Sequence, residues 1–276
     1  MTAPFRVVVL TSGPGLGSGV REFIGQLELH PDVELSAIVW QTQSPTFSGV
    51  VRDLWRRRGW LTGPLLVQKY LGMLMRFLMR PVHGFRLARR VRTVRDRIHC
   101  FEDIHSPRSL DMIRDCLPQL LLVYGAPIIR KPLYEIAPLG TLGIHHGKVP
   151  EYRGKKTLFW AIYNDESTAG VTIQRINDTL DGGDVVESGE VHTGHRLPWV
   201  IWRELERMGM CLYIKAILDV CNERASYSRQ QGLTIKPYRD PGAKEIMKFW
   251  LRYVHRLATA MLPGVKAREP DGQGRQ

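Results

Sequence analysis

GTLGIHHGKVPEYRGKKTLFWAIYNDESTAGVTIQRINDTLDGGDVVE, residues 140–187, is the stretch on which the reading of this chain turns. It opens on an apolar run, Leu142-Gly143-Ile144, that delivers a histidine pair, His145-His146, ahead of Gly147. It closes on the acidic turn Leu180-Asp181-Gly182-Gly183-Asp184, which follows a β-like segment, 170–176. A strand end carrying a histidine and a tight turn carrying a carboxylate suit a general base and the group that orients it. Between them, residues 157–163 read as a helix with Phe159 and Trp160, and 185–192 reads as a further strand.

The flanks alternate strands and helices. Arg6-Val7-Val8-Val9-Leu10 has the unbroken apolar character of a buried parallel strand. A glycine-rich segment 11–19, a helix over 20–29, a turn at Pro31-Asp32 and a strand over 34–40 make a βαβ opening. The glycines do not fit GxGxxG, because position 18 is Ser, and the second strand ends in Trp40-Gln41 without an acid for a ribose. That argues against a dinucleotide site. The loop, with Ser12 and Gly13, is either a plain turn or a phosphate cradle at a helix N-terminus. Further on, 97–101 is a short strand and Ser106-Pro107 caps a helix that runs to about 116. A strand over 120–124, a loop over 125–129 and a short helix over 132–136 follow. After the opening stretch comes a long helix over 198–222, apolar at 201, 205, 208, 212 and 217.

With 276 residues and 43% hydrophobic content, the chain can bury a core of α/β size. No apolar run reaches the roughly 18 residues of a membrane span. The first residues lead straight into a strand with no export leader, so a cytoplasmic protein is expected. Cys100, Cys116, Cys211 and Cys221 are widely spaced, as in a reduced protein. His192 and His195 stand without a second cluster of ligand type, so no metal is expected. The net charge of +12 is concentrated: residues 51–95 hold twelve Lys/Arg against Asp53 alone. This basic segment, 41–95, interrupts the α/β rhythm, and its apolar positions at 65–79 have helical spacing. It reads as a helical insertion packed on the domain, as a surface that meets anionic membrane through residues 51–95, or as a nucleic-acid face.

Residues 140–187 resemble the folate-dependent formyltransferases, the family of the glycinamide ribonucleotide, methionyl-tRNA and amino-sugar formyltransferases. The resemblance rests on Pro150-Glu151-Tyr152-Arg153-Gly154 after the His pair, on Phe159-Trp160-Ala161, on Gly170-Val171-Thr172 and on Leu180-Asp181-Gly182-Gly183-Asp184, in that order. It extends over most of 1–225 apart from 41–95. It implies a Rossmann-like α/β domain, a mostly parallel sheet with helices on both faces, carrying the basic helical insertion. A C-terminal helical extension over 226–268 and a disordered tail over 269–276 would follow.

The resemblance also implies 10-formyltetrahydrofolate as co-substrate and no metal. His145 would be the base and Asp181 its partner. Ile128, Ile129, Gly182, Gly183 and Asp184 would bind the folate, and Ser12, Gly13, Tyr152 and Arg153 the acceptor. This chain departs at Gly143, where the family carries an Asn whose amide helps hold the oxyanion. Losing one such donor typically costs about 10²–10³ in rate. A backbone N–H, His146 or a water is left to replace it.

The expected acceptor is an amine on a small molecule, with a sugar or nucleotide sugar favoured. Methionyl-tRNA and nucleic acid in general are disfavoured, because only some fifty residues follow the long helix and the tRNA enzymes carry a second domain of about 100 residues. Two other readings stand beside the transferase: a folate-binding scaffold without turnover, motivated by Gly143, and a formyltetrahydrofolate hydrolase.

Overall fold

The computed structural model describes residues 4–13, 16–42, 47–58, 63, 91–194 and 196–261. Seven strands, β1 (Phe5–Ser12), β2 (Val33–Gln41), β3 (Ile98–Phe101), β4 (Leu120–Val123), β5 (Thr141–His145), β6 (Thr168–Arg175) and β7 (Val185–His192), form one sheet in the order β3-β2-β1-β4-β5-β6-β7. The first five are parallel, and β6 and β7 add antiparallel at one edge. The described helices are α1 (Ser18–Leu27), α2 (Phe47–Arg58), α3 (Pro107–Asp115), α4 (Thr157–Tyr163), α5 (Pro198–Cys221) and α6 (Ala243–Met261).

The unbroken apolar run of β1 is explained by burial on both faces. Val7 and Val9 point to one side, where they join Leu120, Leu122 and Leu142 beneath Phe23, Ile24, Tyr213 and Ile217. Val8 and Leu10 point to the other, with Val39 and Leu121 beneath Ile104, Ile113 and Leu133. A third cluster, Tyr152, Ala161, Val171, Ile201, Leu205, Phe249 and Tyr253, ties α4, α5 and α6 to the antiparallel edge. The Ser106 hydroxyl caps α3 by accepting from the Ser109 amide, with Pro107 in the first turn, as the sequence predicts.

Strand order runs outward in both directions from β1 and β4, so the crevice beyond their carboxyl ends is a topological switch point. Leu10, Val123 and Gly143 are in register across β1, β4 and β5. Ser12, Gly125 and His145, each two residues further on, therefore form the rim of that crevice.

Two expectations shift. The predicted helix over 132–136 is a single 3-10 turn, Leu133–Glu135. Among the described residues, the predicted C-terminal helical extension is helical in α6, whereas 224–242 has no helix and lies across the site as a strap. Of the basic segment, α2 and a 3-10 turn, Val91–Arg97, are described. The expected helix at 65–79 and the tail 269–276 lie outside the described residues.

Candidate active site

β5 ends on His145, a side chain only 10% exposed. Its Nε2 lies 2.8 Å from the Tyr152 carbonyl oxygen. A carbonyl only accepts, so Nε2 carries a proton and donates, and Nδ1 is the nitrogen left to act as a base. Asp181 Oδ1 lies 3.5 Å from Nδ1. The ring folds back this way because residue 147 is Gly: a β-carbon there would stand 2.4 Å from His145 Nε2 and 2.2 Å from the Tyr152 oxygen.

Asp181 sits at φ +48°, a left-handed conformation that Asp tolerates. Its Oδ2 accepts from the Gly154 amide at 2.9 Å, and Gln174 Nε2 stands 3.4 Å from Oδ1. The last glycine of the Pro-x-Tyr-Arg-Gly motif thus holds the aspartate of the acidic turn directly. Gly183 is demanded by close approach, since a β-carbon would fall 1.5 Å from the Arg175 carbonyl oxygen. The Asp184 backbone belongs to the same turn, its carbonyl accepting from the Arg175 amide at 2.9 Å.

The turn is braced from a distant part of the chain. Gln230, buried, donates from Nε2 to the Gly183 carbonyl at 2.7 Å, the Asp181 carbonyl at 3.1 Å and Gln174 Oε1 at 3.1 Å. Nothing in the local sequence around Gln230 marks it; only the long-range path of the strap does.

Arg153, expected among the acceptor-binding residues, is 3% exposed. Its guanidinium donates to the carbonyls of Leu180, Leu233 and Ile235, fixing the strap to the turn. Tyr152 stacks on Tyr238 with ring centroids 5.3 Å apart and donates its hydroxyl to Glu166 at 2.7 Å. Burial and that carboxylate push the Tyr152 phenol well above its usual range, whereas the Asn164 amide pulls the other way. Ile129 is buried in the core, and its neighbour Ile128 is 59% exposed on the loop after β4. The Ser12 hydroxyl donates to the Gly125 carbonyl at 2.8 Å, and Gly13, at φ +130°, receives Trp40 Nε1 on its carbonyl at 2.9 Å. Ser12 and Gly13 therefore stand on the rim two strands away from His145.

His146 faces away from His145, toward α5. Its Nε2 is 3.1 Å from Glu206 Oε1, close enough to pair when the ring is protonated, and its ring lies 4.6 Å from that of Trp202. Glu206 Oε2 receives the Tyr124 hydroxyl at 3.3 Å. Burial first, then the Glu206 carboxylate, hold that phenol protonated by raising its pKa far above the usual value. Gly19, in the first turn of α1, lies against both groups. His146, Trp202, Glu206 and Tyr124 thus form a second polar cluster beside the His145–Asp181 pair.

At Gly143 the space an Asn would need is filled. A β-carbon there would stand 2.7 Å from Ile176 Cδ1 and 3.4 Å from its Cγ1. Among the described residues no group of three or more His, Cys, Asp or Glu is gathered as a metal site would need.

Residues 112–196 match the formyl transferase family model. Over 94 residues, 34% of this chain, the sequence is 31% identical to a methionyl-tRNA formyltransferase of Solibacter usitatus, and the match spans 30% of that protein. The chain thus covers less than a third of the curated relatives it matches. The fold matches glycinamide ribonucleotide transformylase 1 from Symbiobacterium toebii with a TM-score of 0.57 at 14% identity, over 83% of this chain and 95% of that one. It also matches a sugar N-formyltransferase from a Shewanella species with a TM-score of 0.56 at 13% identity, over 90% and 87%. The matched segment carries the His145–Asp181 pair, and the sheet around it has the shape of these proteins: residues 112–196 are similar to the formyl transferase family, and the chain shares the fold of these formyltransferases.

Proposed function

We propose that this chain transfers the formyl group of 10-formyltetrahydrofolate to an amine of a small molecule, with a sugar or nucleotide-sugar amine as the favoured acceptor. The observation that carries this reading is His145 Nδ1 standing 3.5 Å from Asp181 Oδ1 at the switch-point rim, both side chains mostly buried. The folate supplies the carbonyl carbon that the amine attacks. Exposed Ile128 offers its flat ring an apolar edge, and the glycines of the acidic turn let backbone approach it closely.

His145 takes the proton that the attacking amine must lose. Asp181 holds the resulting imidazolium, itself fixed by the Gly154 amide. The same proton is then available to the leaving nitrogen. On the acceptor side, Trp202 gives a partly exposed aromatic face and Glu206 a carboxylate, a pairing suited to a hydroxyl-bearing ring. A cytoplasmic location and an acceptor other than nucleic acid belong to this reading.

A second reading has its own support. Gly143 has no side chain to hold an oxyanion, and Ile176 packs against the position its β-carbon would take, which favours a protein that binds the folate without turning it over. Incubating the protein with 10-formyltetrahydrofolate and a panel of amines separates these. Tetrahydrofolate released only with an amine is the expected result. Release without amine would make the protein a hydrolase, and binding without release a scaffold.

A further inference from the structure

Helix α6 arranges its exposed side chains in ridges. Phe249 and Tyr253 form the packed ridge: Phe249 stacks on Phe159 at 4.7 Å, and the Tyr253 hydroxyl donates to the Arg196 carbonyl at 2.9 Å. Next round the helix come Trp250 and Val254, then Met247 and Leu251, each pair one turn apart. All four are exposed, Met247 at 62%, Leu251 at 68% and Val254 at 60%. The following ridge is Lys244, Lys248 and Arg252, exposed and spaced at four residues; Lys248 and Arg252 also reach over the Tyr163 ring, and Arg252 donates to the Tyr163 carbonyl at 3.1 Å. An apolar strip left in solvent therefore runs between the packed face and a row of cations. Between 243 and 254 the only acid is Glu245.

We infer that α6 lies flat on an anionic lipid surface, with Met247, Trp250, Leu251 and Val254 in the acyl boundary and Lys244, Lys248 and Arg252 at the headgroups. The charge pattern selects this occupant. A row of cations beside an apolar strip is complementary to anionic headgroups above hydrocarbon. A second copy packed antiparallel on the same strip would bring the two cationic rows together. No helix among the described residues is long and apolar enough to cross a membrane, so the contact is peripheral.

The test is co-sedimentation of the full chain with vesicles of phosphatidylcholine, alone or with phosphatidylglycerol added. Two variants go with it, Leu251→Ser/Val254→Ser and Lys244→Glu/Lys248→Glu, each checked for an unchanged thermal melt. These side chains are exposed, so folding should survive. The expected result is binding to the anionic vesicles only, weakened at least about tenfold in either variant. Any of three outcomes overturns the inference. One is equal binding to neutral vesicles. Another is binding that the α6 variants leave unchanged, which would assign the contact to another basic segment. The third is a dimer, seen by light scattering, that dissociates when Leu251 and Val254 are replaced.

Discussion

Gly143 and Ile176 are complementary: the side chain missing at 143 is the space into which Ile176 projects, 2.7 Å from where a β-carbon would stand. The substitution at β5 is therefore coupled to the residue that follows β6. Gly143→Asn alone should overpack the strand and cost about 1–3 kcal/mol of stability. Gly143→Asn with Ile176→Ala should recover most of that loss in thermal melts. If the amide then reaches the oxyanion, turnover should rise. A neutral melt for the single variant would mean that Ile176 yields freely and the coupling is absent.

On the proposed reading, His145→Ala removes the base and Asp181→Asn the charge that steadies it. Each should lower kcat by about 10²–10⁴ with little change in the melt. Asparagine at 181 can still accept from the Gly154 amide, so this variant reports on charge rather than on the turn. Full formyl transfer by both variants would remove them from the chemistry.

On the proposed reading, Gln230 acts through Asp181, whose carbonyl it holds at 3.1 Å. Replacing it with Leu leaves the Asp181 and Gly183 carbonyls without their donor, at about 1–3 kcal/mol. Turnover should fall with it. In an Asp181→Asn background the added fall in kcat should nearly vanish, whereas the stability loss should remain. Equal effects on kcat in both backgrounds would make Gln230 a purely structural brace.

Glu190 links Lys148, next to the site, to the antiparallel edge. The Thr168 hydroxyl first, and the Lys148 ammonium at 3.1 Å next, hold its carboxyl below the usual 4.5. A lowered folded-state pKa stabilises the fold above the unfolded value, and this contribution is lost as pH falls through the folded one. The melting difference between the wild type and Glu190→Gln should therefore be constant near neutrality and shrink below about pH 4.5. Because the group is well exposed, the difference should be small and reduced by salt. A difference that grows in acid would contradict the assignment.

The parts of this fold that announced themselves were those with local causes. The β1 run, the Ser106-Pro107 cap and the length of α5 follow from burial pattern and capping chemistry within a few residues. The His145–Asp181 pair was legible because each motif contains its own glycine: Gly147 makes room for the ring, and Gly154 supplies the amide that holds the carboxylate. Ile176 and Gln230 were not legible. Their roles arise from approaches across the sheet and from a strap 49 residues beyond Asp181, where no periodicity or turn chemistry points back to the site. For Arg153 the motif position suggests contact with the acceptor, while the structure shows burial and a guanidinium directed onto backbone carbonyls, a placement that again depends on the distant strap.

The strap has a consequence for how the protein matures during synthesis. When translation has reached the end of α5 at Cys221, the residues of all seven strands have been made. Gln230, the carbonyls of Leu233 and Ile235, and Tyr238 have not yet been made. A domain folds as a unit, so the acidic turn gains its brace only once this last segment has emerged. A chain stopped at Cys221 would hold every strand but lack Gln230 and Tyr238, the residues that brace the acidic turn and its neighbouring loop.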